Sequence, residues 1–394
     1  MTVTAPASGL VSATLAAVRS VLGTAQGTIP LHEPEFSGQE WTYVKDCIDT
    51  GWVSSVGAYV DRFERDLCAI TGAKHAVATS NGTAALHICL LLAGVEAGDE
   101  VLMPALTFIA TANAVSYAHA VPHFVDSEES TLGLDALRMQ AYLEQIAERR
   151  QGGTYNRQTG ARIRALVVMH VFGHPCDIDA LAALADSWQL VLIEDAAESL
   201  GAYYKGRHTG NVGHVAALSF NGNKVVTTGG GGAVLTNDPV LGKRAKHLTT
   251  TARVPHRWNF LHDEVGYNYR LPNLNAALGC AQLESLPSFI ARKRELAARY
   301  EAAFAGVEGL RFLCEPAESQ GNYWLNAIVL DPVQASQRDD VLAALNDAGY
   351  MSRPLWTLMH RLPMYAACPR MPLPTAESLE ARVINIPSSP KLAA

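Results

Sequence analysis

Two hydrophobic periods alternate along most of this chain. Short, unbroken apolar runs at His75–Thr79, near Val101, near Val121, in IRALVVM and in LVLIED read as strands buried on both faces. Between them, apolar residues fall at helical spacing from about Thr83, from about Thr107 and through DIDALAALADSW, which leads into a strand ending at Glu194. Such sustained alternation predicts an α/β fold with a mostly parallel central sheet flanked by helices. Ligands of such sheets sit beyond the carboxyl ends of the strands. After about Leu286 the pattern changes. SFIARKRELAARYEAAFAGV reads as a long charged helix, NYWLNAIVL as a strand, QRDDVLAALNDAGY as a helix and VINIP as a short final strand. The expected organisation is an N-terminal arm (1–34), a large α/β domain (35–285) and a smaller C-terminal α+β domain (286–394). In the arm, Leu10, Leu15, Val18 and Leu22 recur at helical spacing, which predicts an amphipathic helix docked on the body. The glycine-rich, basic stretch at 149–164 reads as an exposed hairpin, with a flap over an anionic substrate as the alternative.

Composition narrows the classes of function. The 394 residues are 48% hydrophobic and 18% charged, with a net charge of -7, which suits a globular enzyme and offers no basic face for nucleic acid. No apolar run is long enough to span a membrane. The N-terminal stretch lacks a basic start and is interrupted by Arg19, so it does not read as a signal peptide. Seven cysteines are scattered without a CxxC pair, which points to reduced thiols in a cytoplasm.

Candidate chemistry gathers around ALSFNGNKVVTTGGGGAVLTND. Lys224 follows a short apolar run and precedes two threonines and four glycines. The glycines follow the lysine, so this is not a GxxxxGK[ST] phosphate loop. Asp195 ends LVLIED, where a carboxylate needs a cation or donors. On its own Asp195 reads first as the cap of a following helix, and Lys224 alone as a solvated surface lysine, the commoner fate of that residue. Taken together, they suit pyridoxal phosphate. That cofactor needs a lysine for covalent attachment and an acid to keep its ring nitrogen protonated. SNGTAAL could supply a phosphate cradle, because Gly82 and Thr83 open a helix. Ser219 adds a hydroxyl, and Phe108 could stack on the ring or be an ordinary core aromatic. His170, His174, Cys176 and Asp177 in HVFGHPCD invite a metal reading, but no second cluster completes it. No metal is therefore expected.

The stretches NGTAALHICLLLAG, VLMPALTFIATANAV, HVFGHPCDID, IEDAAESLG, SFNGNKVVTTGGGGAVLTND and GYNYRLPNLNAALG resemble the sugar aminotransferases of the DegT/DnrJ/EryC1/StrS family, which are fold type I pyridoxal-phosphate enzymes. The resemblance covers roughly residues 30 to 285 and is looser beyond. It implies Lys224 as the attachment lysine, Asp195 as partner of the ring nitrogen and Glu198 as the contact to the ring hydroxyl, where many members carry Gln or His. It also implies Ser219 and the amides of Gly82 and Thr83 at the phosphate, with Asn268 reaching that phosphate from a neighbouring subunit. A homodimer with shared sites would follow. Members that dehydrate carry His at the lysine position, so Lys224 implies amine transfer. Glutamate is the implied donor, with pyridoxamine phosphate formed in the cycle. IPLHEPEFSG, DTGWVSSVGAYVDRFE and VDSEESTLGLD resemble the subgroup acting on nucleotide-linked 4-keto-6-deoxy sugars of the legionaminic and bacillosamine type. They imply a UDP-linked 2-acetamido-4-keto-6-deoxyhexose, with a GDP- or dTDP-linked sugar or a 3-keto sugar as the alternative. Arg353 and Trp356 are candidates for the nucleotide. A non-catalytic cofactor-binding regulator is the reading from a different class.

Overall fold

The structure, a computed structural model, describes residues 9–393. Its centre is one sheet built from β1 (His75–Thr79), β2 (Glu100–Pro104), β3 (Val121–Val125), the hairpin β4 (Ala147–Arg150) and β5 (Gly153–Asn156), β6 (Arg162–Met169), β7 (Val191–Asp195), β8 (Val215–Ser219) and β9 (Gly232–Thr236). The strand order is β1-β9-β8-β7-β6-β2-β3, with the hairpin joined to β6 through β5. Neighbours from β8 to β3 pair in parallel, while β9 runs antiparallel to both β1 and β8. The strands β2, β6 and β7 are almost wholly buried, which explains why they appear as continuous apolar runs rather than alternating ones.

Helix limits follow local capping. The helix Gly82–Leu92 starts one residue ahead of the sequence expectation, because the Asn81 side chain accepts the Ala84 N–H and caps it. The helix expected from Thr107 begins at Ile109. Phe108 stands before it in extended geometry, and Thr107 turns its hydroxyl to Thr111. The strand expected to end at Glu194 includes Asp195, which pairs with Met169 and Ala217.

The 149–164 stretch does form a hairpin, though not a loosely exposed one. Asn156 is buried and donates to the equally buried Glu100 at 2.9 Å, which His123 also meets at 2.7 Å. The hairpin joins β6 at Arg162 and Ile163, whereas the cleft described below opens at Met169, the other end of that strand. The flap alternative is therefore set aside by topology.

One long helix, Asn273–Phe304, ties the two ends of the chain together. Its first half (Ala276, Cys280, Leu283, Leu286, Phe289) packs in the core of the central sheet. Its second half (Leu296, Tyr300, Phe304) belongs to a second cluster with Leu310, Ile328, Leu330, Val341 and Ile384. The expected domain limit at 285/286 falls inside this helix, next to Pro287. The second cluster backs a four-stranded antiparallel sheet of Leu310–Phe312, Asn326–Leu330, Arg353–Pro354 and Val383–Ile386. The N-terminal helix Gly9–Leu22 docks here, with Leu10 and Val18 buried and Leu15 and Leu22 half-covered. Residues 1–8 of the expected arm lie outside the described residues.

Candidate active site

Three neighbouring parallel strands end at one cleft. Met169 closes β6, Asp195 closes β7 and Ser219 closes β8, and all three line a cavity of about 330 Å³. Gly82, Thr83, Phe108, Glu198, Lys224, Trp324 and Trp356 complete much of its wall.

Asp195 is buried at the floor. The Thr111 hydroxyl donates to its Oδ2 at 2.7 Å and the Ala197 N–H to its Oδ1 at 3.2 Å. No helix begins at Asp195, so the capping alternative does not describe it. Burial raises its pKa above the ordinary carboxylate value; the Thr111 and Ala197 donors and the charge of Lys224 pull the other way. A cationic ring nitrogen would supply the partner this carboxylate lacks.

Glu198 stands one turn further on, with 3% of its surface exposed. Its Oε2 accepts the Phe172 N–H at 2.9 Å and its Oε1 lies 3.4 Å from Lys224 Nζ. Burial pushes its pKa up to about 7, against the pull of Lys224 and Phe172 and with the push of Asp195. The turn that presents Phe172 is strained. Phe172 has φ 56°, and a Cβ on the following Gly173 would sit 1.8 Å from Asn322 Oδ1.

Lys224 projects from the turn after β8, with its side chain only 13% exposed. Its Nζ lies 3.8 Å from the centre of the Trp324 ring, a cation–π distance. The phosphate end is built from backbone. Gly82 and Thr83 are the first two residues of their helix, so their N–H groups have no acceptor within it and, with the helix dipole, suit an anion. A Cβ on Gly82 would fall 2.8 Å from Ser219 Cβ, so glycine permits that strand end to approach. The glycine run has a similar logic. Gly229 takes φ 77°, and a Cβ on Gly232 would lie 2.5 Å from the carbonyl carbon of Asn81. Of the four glycines, Gly231 lines the cleft.

The remaining expectations divide. Phe108 is half-exposed at the mouth, 6.3 Å from Trp356, which in turn packs on Phe172 at 5.1 Å. Arg353 is not brought to the cleft; it is exposed, and its guanidinium bonds Ser352 O at 3.0 Å on the small sheet. Asn268 lies outside its own chain's cleft, exposed and bridged to Thr250. The metal alternative disperses. His170 accepts the Cys176 N–H at Nδ1, so its proton sits on Nε2 and faces Glu194 at 3.0 Å. His174 instead packs edge-on against Tyr323. Sequence reasoning missed Thr111, Asn223 and Trp324. Thr111 could have been sought as a hydroxyl in the first turn of a helix that starts beside the strand end. Trp324 is a hundred residues from Lys224 and left no local signal.

The residues fit the cofactor implied by the sequence. A buried acid, a lysine and a helix N-terminus line one cavity, the three kinds of group that a ring nitrogen, an aldehyde and a phosphate call for.

Comparison with known proteins agrees. The profile of the DegT/DnrJ/EryC1/StrS aminotransferase family matches residues 34–394. GDP-perosamine synthase of Escherichia coli O157:H7 is 38% identical over 364 residues, covering 92% of this chain and 94% of that protein. Its namesake in Vibrio cholerae is 37% identical, covering 92% and 95%. Among solved structures, the aminotransferase TlmJ from Streptoalloteichus hindustanus superposes with a TM-score of 0.83 at 30% identity, covering 92% of this chain and 94% of TlmJ. Streptomyces venezuelae DesV, in complex with a ketimine intermediate, superposes at 0.79 with 32% identity, covering 90% of each chain.

Proposed function

Because this chain belongs to the DegT/DnrJ/EryC1/StrS aminotransferase family, we propose that it moves an amino group from glutamate to the ketone carbon of a nucleotide-linked keto sugar, with GDP as the nucleotide. The enzyme is a pyridoxal-phosphate-dependent aminotransferase. The observation that carries the reading is the convergence of Lys224, Asp195 and Glu198 on one cavity beside the free amides of Gly82 and Thr83. The UDP-linked 2-acetamido sugar expected from sequence gives way to the GDP alternative, since relatives matching nine-tenths of the chain are GDP-perosamine synthases.

When bound, the cofactor supplies an electron sink that stabilises negative charge on the carbon bearing the transferred nitrogen. The protein does the rest. Asp195, buried and held by Thr111 and Ala197, keeps a negative charge where the ring nitrogen must hold its proton. Gly82, Thr83 and Ser219 hold the phosphate and fix the ring against rotation. Lys224 would anchor the cofactor, and its amine, when free, would carry the proton between the two reacting carbons. Glu198 holds the ring hydroxyl and faces the Lys224 amine. Phe108 and Trp356, at the mouth, cover the bound sugar and reduce the access of water. Asn268 belongs, in this reading, to the neighbouring subunit's phosphate site, which its exposure supports. Exposed Trp41, Trp52, Val56, Trp258, Phe260 and Val265 support a homodimer by offering apolar surface for burial. No helix among the described residues is long and apolar enough to cross a membrane. The seven cysteines are free thiols, in keeping with a cytoplasmic place.

The test is half-reaction spectroscopy. Glutamate converts the bound cofactor to its amine form, and candidate keto sugars are then scored by whether they restore the starting spectrum. Restoration by a GDP-linked 4-keto-6-deoxyhexose and not by the UDP-linked 2-acetamido sugar is expected. The reverse preference overturns the GDP assignment, and no response to glutamate overturns the donor.

A further inference from the structure

Beneath the cleft lies a second lysine that the chemistry above does not use. Lys293, on the helix Asn273–Phe304, is fully buried, and its burial holds its pKa well below that of a free lysine. Its Nζ donates to Ser388 O at 2.5 Å and to Trp324 O at 3.2 Å. Trp324 is then fixed at two more points. Its N–H donates to Asn322 Oδ1 at 2.8 Å, and its indole N–H to Asn223 O at 2.7 Å. Asn322 also bonds the backbone carbonyl of Glu198 at 2.9 Å, and Asn223 immediately precedes Lys224. A buried lysine is costly to keep, and the costly group here holds one tryptophan whose ring lies under the reactive amine. Two of these bonds fix the backbone of residue 324, and the indole N–H to Asn223 O is the one that only tryptophan can make, so it sets the plane of the ring under Lys224.

We propose that Trp324 is a positioning residue for Lys224, its indole face being the floor that receives the lysine's ammonium, both in the cofactor-free enzyme and after the freed amine has taken up the proton it moves. The ammonium lies 3.8 Å from the ring centre and 3.4 Å from Glu198 Oε1, so an aromatic face and a carboxylate hold it from two sides. Asp195 and the ring of His32 are the other ionisable groups whose charge bears on this corner. The seat keeps the freed amine within reach of the carbons between which it moves a proton, where a longer swing toward solvent would cost orientation at every turnover. The inference rests on Lys224 as the attachment lysine. Borohydride reduction of the holoenzyme followed by peptide mapping tests that assignment separately, because cofactor trapped on another lysine defeats the assignment and not the geometry of Trp324.

The test of the floor uses cofactor-free enzyme. Lys224 is acetylated at pH 8 with acetic anhydride, acetate leaving as the Nζ–acetyl bond forms, and the rate is followed by peptide mass spectrometry. Trp324→Met fills the space without a π face; Trp324→Phe keeps a π face but loses the indole N–H. The floor predicts acetylation about tenfold faster in the Met variant, the size of a partly desolvated cation–π contact, and within about threefold of wild type in the Phe variant. In reloaded enzyme, the Met variant should lower kcat with little change in KM for glutamate, and Phe should restore it. Wild-type acetylation rates in both variants overturn the proposal. So do equal increases in both, which would assign the effect to the Asn223 hydrogen bond rather than to the ring. Should Trp324→Met fail to fold, Trp324→Leu takes its place against the same Phe control.

Discussion

Glu198 should hold its proton up to neutral pH in the cofactor-free enzyme, and Glu198→Gln makes this measurable. The carboxyl rises from an ordinary 4.5 to about 7 because burial disfavours its charge, although Lys224 Nζ lies only 3.4 Å away and Phe172 donates an N–H. That rise corresponds to about 3 kcal/mol of extra cost for ionising this group inside the protein. The sign follows directly. A carboxyl with a folded pKa above its unfolded one adds stability that is full below about 4.5 and lost as pH climbs through about 7. The assay is infrared difference spectroscopy of wild type minus Glu198→Gln, following the carbonyl stretch of a protonated carboxyl from pH 5 to 9. The band should be about nine-tenths present at pH 6 and about one-tenth present at pH 8. Lys224→Met, which removes the neighbouring cation, should move the midpoint higher still. A midpoint at or below 5 in wild type would refute the reasoning, because it would mean that Lys224 and Phe172 outweigh desolvation. Glutamine, with a permanent N–H donor, mimics the protonated form, so cofactor affinity in the Gln variant should be flat across the range in which wild type weakens with rising pH.

Lys224→Ala should abolish transamination and the holoenzyme's absorbance near roughly 420 nm, a property of the attached cofactor; a spectrophotometric titration with pyridoxal phosphate checks both. Thr111→Val removes the hydroxyl that meets Asp195 at 2.7 Å and should weaken cofactor binding about tenfold, the lower end for a hydrogen bond to a charged group, with Thr111→Ser restoring it in equilibrium dialysis. Gly232→Ala places a Cβ 2.5 Å from Asn81 backbone atoms. It should cost about 1–3 kcal/mol by overpacking, seen as a lowered melting temperature together with poorer cofactor retention, since the same contact supports the helix start at Gly82.

Much of this architecture was legible because burial leaves a pattern. Continuous apolar runs such as IRALVVM and LVLIED, short and repeated between helical stretches, fit a sheet covered on both sides, and the acid that ends LVLIED, Asp195, marked the end where chemistry collects. Lys224, Glu198, Ser219, Gly82 and Thr83 reach the cleft because each stands at or just after a strand end or opens a helix beside one. The legible part stops where contacts are made across the fold. Thr111 is one hydroxyl among many until β7 brings Asp195 beneath it, and Trp324 reaches Lys224 only through the small sheet and the buried Lys293. Arg353 stays out of the cleft for the same reason. Its neighbour Trp356 turns into the cleft, but a residue three positions earlier on an exposed edge strand turns out toward Ser352. The close approach at Gly232, where one backbone passes against another, likewise has no mark in the sequence beyond the glycine itself.

The cleft's two walls come from different parts of the chain. The central sheet and the turns at its strand ends contribute Asp195, Glu198, Ser219 and Lys224, and residues beyond the long helix contribute Trp324 and the mouth-lining Trp356. Such a division lets the mouth diversify: substitutions around Trp356 can retune which sugar is admitted while the chemical machinery under it is left unaltered. A single scaffold can thereby radiate into a set of enzymes that differ in what they accept and share how they react.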